Sequence, residues 1–134
     1  MKSTPEIENL FYQNLGKLFY AIAAADKVVR EEEVNILKQI VNTDWLFLDG
    51  TKNKTEIDSM RHIKIIFNQL TEQKQNANDC LAEFKFFKIT HENLFTTNVK
   101  QQIWKTANAI VTAFSRRNKS ELVMLTELGA ILKS

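Results

Sequence analysis

Glycine and proline are nearly missing from this chain: three and one among 134 residues. A β-sandwich needs such residues at its many tight turns, so their scarcity points to long helices. There is one cysteine, Cys80, which excludes an internal disulfide framework and any CxxC motif. It is expected to be a small buried hydrophobe on a helix. The two histidines, His62 and His91, have neither paired spacing nor an HExxH motif, so nothing marks a zinc enzyme. A glycine-rich phosphate loop and a GxSxG nucleophile elbow are also missing. No run of about 18 apolar residues exists to span a membrane. The opening "MKSTPEIENLFYQ" has no continuous apolar segment of the secretory kind, so a cytoplasmic location is the default expectation. The net charge of +2 is too small to demand a polyanionic partner, and no nucleic acid is expected.

What is present is helical periodicity. The length fits one domain over residues 1–134. Thr4, Pro5 and Glu6 read as a helix start: a cap, a residue suited to the first helical position, and an acid at the positive end of the helix dipole. Ile7, Leu10, Phe11, Leu15, Leu18, Phe19, Ile22 and Ala25 then follow in steps of three and four, one apolar stripe along one helix. A second helix carries Val34, Leu37, Ile40 and Val41 and is expected to fade over 42–44. Residues 42–55 read as a connection whose centre, Trp45-Leu46-Phe47-Leu48, folds back as a lid. A third helix begins near Thr55 and carries Met60, Ile63 and Phe67. A polar loop over 71–79 follows, with Asp79 capping a fourth helix that carries Leu81, Phe84 and Phe87. The chain turns again near His91. Val99, Ile103, Ala107 and Ile110 then mark a fifth helix, and Asn118 opens a sixth with Leu122, Leu125, Leu128 and Ile131. The expected fold is all-α, a compact bundle of about six helices. Most of the aromatic surplus at Trp45, Phe47, Phe86, Phe87 and Trp104 is assigned to the core. Neighbours such as Phe86-Phe87 and Ile103-Trp104 cannot share one stripe, so one of each pair should project outward.

Displaced by 88 residues, the chain matches itself. Lys17, Ala21, Ile22, Ala25, Glu33 and Leu37 fall on Lys105, Ala109, Ile110, Ala113, Glu121 and Leu125. The expected organisation is therefore two related helical hairpins, about 5–41 and 97–133, separated by an insert and middle helices over 42–96. In the second copy "NKSE" is a capping-box pattern running from Asn118 to Glu121. The first copy, "REEE", keeps the glutamate as Glu33 but has Arg30 at the cap. Phe114 stands where Asp26 stands in the first copy, so an acidic site is expected in the first hairpin alone.

That acidic corner is "AIAAADKVVREEEVNILKQIV", residues 21–41. It is no EF-hand loop, because Val28 and Arg30 occupy positions that need oxygen ligands. A looser site from Asp26, Glu32 and Glu33 would suit a hard cation, Ca²⁺ or Mg²⁺. The competing expectation is a plain corner, in which Asp26 ends one helix, Glu33 caps the next, and Lys27 and Arg30 neutralise the remainder.

The stretch "FYAIAAADKVVREEEVNILKQIV" resembles the signature hairpin of the TerB-like (tellurite-resistance B) domains: an alanine-rich helix, an aspartate, a β-branched residue and a glutamate heading the next helix. Asp26, Val29 and Glu33 match that pattern. Lys27 stands where the family usually has glycine, so the turn is not expected to rely on a residue free to take positive φ. Arg30 stands where the family has a serine or aspartate cap. The resemblance implies a helical, non-catalytic interaction module in a bacterial tellurite, metal-oxyanion or envelope stress response. It implies protein partners, peripheral association with a membrane through them, and an auxiliary cation at the acidic residues. The alternatives are a metal-dependent enzyme using Asp26, Glu32 and Glu33, or a small-molecule binder with a pocket under Trp45 and Phe47.

Overall fold

A computed structural model describes residues 4–48, 50, 52–113 and 119–133. Six α-helices run in order: α1 (Pro5–Ala23), α2 (Glu31–Ile40), α3 (Lys54–Gln73), α4 (Ala77–Thr90), α5 (Thr97–Ala113) and α6 (Lys119–Lys133). A π-helical turn, Val41–Trp45, extends α2, and a 3-10 turn, Glu92–Leu94, follows α4. The described residues contain no strand. The chain is the all-α bundle that its periodicity predicts.

The helix starts show how local chemistry sets the elements. Thr4 caps α1 as expected, its hydroxyl accepting the Ile7 amide at 3.2 Å. Asn53 caps α3 by accepting the Glu56 amide. The expected loop over 71–79 is shorter than its composition implies. Residues 71–73 stay helical, and Asn76 rather than Asp79 caps α4, its side chain accepting the Asp79 amide at 3.0 Å. Asn76 wins because it holds the extended backbone a cap requires, while Asp79 already lies inside the first turn. The expected cap at Asn118 and the match of Phe114 to Asp26 fall outside the described residues.

α1 is the central helix. It packs on α3 and α4 along most of its length and also meets α5 and α6. Gly16 allows the α3 contact, because a Cβ there would lie 2.8 Å from the Ile63 carbonyl oxygen. The core runs from Phe11, Leu15 and Phe19 through Ile63, Phe84 and Ile103 to Leu128. Cys80 is buried, as expected. Burial pushes its thiol up to about 11, so it stays protonated.

Two expectations change. α2 does not fold back along α1 as a tight hairpin. It packs on α5, while α5 and α6 do run along each other. Both members of the matched pairs Ile22 and Ile110, Glu33 and Glu121, and Leu37 and Leu125 are buried, though Leu125 is more exposed than Leu37. The insert is not a simple lid either. The wide π turn carries Trp45 round into the core, where it is 1% exposed and its indole N–H donates to the Thr106 hydroxyl at 3.0 Å. Phe47 points out, at 65% exposure. With Trp45 in the core, the small cleft of about 230 Å³ beside the insert is lined by residues such as Val41, Leu46 and Met60 and not by Trp45 or Phe47. Of the five surplus aromatics, Trp45 and Phe87 enter the core, whereas Phe47, Phe86 and Trp104 are exposed.

Candidate functional site

The α1–α2 corner spans the short connection after Ala23 and the first turn of α2. Asp26 opens it. One carboxylate oxygen accepts the Val28 amide at 3.1 Å, an Asx turn, and the other accepts the Arg30 guanidinium at 2.8 Å. Between them Lys27 takes φ of 69°. The corner thus adopts the left-handed backbone that glycine would adopt most readily, although a lysine occupies the position. From its sequence the turn is not expected to rely on a residue free to take positive φ, yet Lys27 takes it: the Asx turn and the Ala24 carbonyl, which accepts the Lys27 amide at 2.8 Å, hold the conformation.

Glu33 then does the capping work that Arg30 cannot. Its Oε1 accepts the Arg30 backbone amide at 2.9 Å, and the Arg30 guanidinium lies 3.9 Å from the same oxygen. The side chain turns inward and is 0% exposed. There it meets Glu121, 1% exposed, from the first turn of α6, and the two carboxyl groups hydrogen-bond to each other. Two buried carboxylates this close cannot both be charged. Burial pushes both up from the ordinary carboxylate range. Glu121 reaches about 8, because Glu33 adds to the effect of burial through its hydrogen bond and its charge. At neutral pH the pair therefore retains a proton, shared between the two carboxyl groups. The Asp26 bond keeps Arg30 protonated, and Arg30 supplies positive charge beside the pair.

The expected trio does not come together. Asp26 is engaged with Arg30, Glu33 faces the interior, and Glu32 points to solvent from the first turn of α2. Among the described residues, no three His, Cys, Asp or Glu side chains gather as a group that could hold a metal ion. The helix start explains this: Glu32 and Glu33 are neighbours on α2, so their side chains diverge by roughly 100° around the axis. The confinement of the acidic cluster to the first hairpin is also corrected, since Glu121 belongs to it. The 88-residue self-match places Glu121 on Glu33 as an equivalent position, but equivalence does not imply contact.

A buried carboxyl pair that shares a proton is closed to substrate. What it can do chemically is join the start of α2 to the start of α6 in one protonation state. Elsewhere, Lys88 is fully buried and reaches Glu92 Oε1 at 3.2 Å, and His91 stacks on Phe87 with ring centres 4.4 Å apart. No helix among the described residues is long and apolar enough to cross a membrane. No family model, no curated protein and no solved structure matches this chain.

Proposed function

We propose that this chain is a non-catalytic interaction module of the TerB-like kind, acting in the cytoplasm through protein partners in a bacterial response to tellurite, other metal oxyanions or envelope stress. The α1–α2 corner carries this proposal. Asp26, Val29 and Glu33, on which the resemblance rests, fall in one tight corner, and Lys27 holds the positive φ that the family's glycine would supply. The carboxylates of Asp26 and Glu33 are engaged with other groups of the protein, which suits a scaffold. A surface for partners is available on α4, where Phe86 and Ile89 lie one turn apart at 70% and 53% exposure.

The test is affinity capture with the tagged chain from its native cell, run beside a Phe86→Ser, Ile89→Ser variant. The proposal expects a protein retained by the wild type and lost by the variant, with the helical circular-dichroism signal and Tm unchanged. Capture that is indifferent to the variant would overturn the surface. Turnover of any substrate that is lost with Asp26→Asn would overturn the non-catalytic role. Micromolar Ca²⁺ or Mg²⁺ affinity at residues 26–33, abolished by the same substitution, would replace the scaffold with a metal site.

A further inference from the structure

Two non-glycine residues among those described have positive φ: Lys27, at 69°, and Lys74, at 52°. One sits in the α1–α2 corner and the other is the C-cap of α3. Both line the same cleft, about 570 Å³ in volume, enclosed by the corner, the α3–α4 connection and α6. The volume lies in the range of small-molecule sites. Its apolar side is formed by residues such as Tyr20, Ala24 and Met124, and its polar side by Thr71 and Asn78. Tyr20 is fixed in place, its hydroxyl donating to the Gln75 carbonyl at 2.7 Å.

The charges in this cleft are not balanced. No aspartate or glutamate among the described residues lines it, and neither lysine takes part in an ion pair there or elsewhere among them. A side chain at positive φ also carries a steric cost that glycine would not. The chain thus has a cation at both strained positions, and both cations border one concave space. The cleft therefore presents positive charge that no carboxylate among the described residues of its lining neutralises. Lysine binds phosphate as a point charge, and a phosphate dianion matches two ammonium groups in charge where a carboxylate carries only one.

We propose that this cleft binds a small soluble organic phosphate, its dianion between Lys27 and Lys74 and its apolar body against Tyr20 and Met124. The site is separate from the carboxyl pair and does not depend on the partner role proposed above.

Amide NMR titration with phenyl phosphate, benzoate and phenol tests the assignment, at about 150 mM salt so that loose surface attraction is screened. Phenyl phosphate is expected to bind with a Kd below about 1 mM. It should shift amides over 20–29 and 71–78 and at Met124. The Lys27→Gly, Lys74→Gly double variant removes both charges and relieves both positive φ angles. It should bind at least about tenfold more weakly, with Tm unchanged or higher. A Lys27→Gln, Lys74→Gln variant gives the same measurement with side-chain bulk retained. Four results would overturn the proposal: no shifts at those amides, equal affinity for phenol, equal affinity for benzoate, or unchanged affinity in both variants. Retention on phosphatidic acid vesicles without binding of phenyl phosphate would overturn the soluble ligand in favour of a lipid headgroup.

Discussion

At Glu121 a single proton distinguishes the folded chain from the unfolded one. In the unfolded chain its carboxyl titrates near 4.5, and in the folded chain at about 8. A raised folded value means that the folded state binds the proton more tightly. The stabilisation is fully present below about pH 4.5 and is lost as pH rises towards 8. Glu33 is shifted in the same direction, so the two effects do not cancel. Each pH unit in that window can remove at most about 1.4 kcal/mol from this source. Tm is therefore expected to fall between pH 5 and pH 8 and then level off, and Glu121→Gln, a permanent donor to Glu33, should flatten the fall. A wild-type profile that is flat, or rises, over that interval would show that the pair does not share a proton. The sequence made half of this pair legible. Glu33 could be recognised as a cap from its position after Arg30, since capping is local. Its burial against Glu121 could not, because no local rule connects side chains on two helices 88 residues apart.

Among the helices, α1 shows how far periodicity reaches. Its start and the burial of Leu15, Leu18, Phe19 and Ile22 follow from spacing, but Leu10 of the same stripe is exposed, and Tyr12, Tyr20 and Ala21 off it are buried because α1 is covered on several sides. Where wide turns or rival caps enter, spacing is less informative. The π turn at Val41–Trp45 breaks the helical period, so spacing could not separate buried Trp45 from exposed Phe47. Asn76 and Asp79 both suit a cap by residue type, and backbone geometry chooses between them. Gly16 is a clearer case of tertiary structure overriding propensity. Replacing a mid-helix glycine with alanine normally gains up to about 1 kcal/mol. Here the new methyl would sit 2.8 Å from the Ile63 carbonyl oxygen and 2.9 Å from the Ile66 Cβ, one of them backbone that cannot rotate away. Overpacking of this kind costs about 1–3 kcal/mol. Gly16→Ala is expected to lower the free energy of unfolding in urea, and a stabilised variant would mean that α1 and α3 are not in close contact at this point.

For the whole molecule, the carboxyl pair determines how the two ends of the chain depend on each other. α2 packs chiefly on α5 and the π turn, while α6 packs on α5 and α1. The start of α2 and the start of α6 meet through Glu33 and Glu121, so the α1–α2 corner is anchored by a residue from the far end of the chain. Removing Glu33 takes away three things together: the partner of the Arg30 amide, the partner of the Glu121 carboxyl, and the filling of a fully buried position. A purely local cap would loosen α2 and leave α6 unchanged. A shared joint predicts a different pattern of amide hydrogen exchange in Glu33→Ala. Protection should drop in the first turns of α6, at residues 121–125, as much as in residues 31–37, while the α1–α3 contact around Gly16 keeps its protection. If the loss stayed within α2, the two ends would be independent and Glu33 would be a helix cap that happens to be buried.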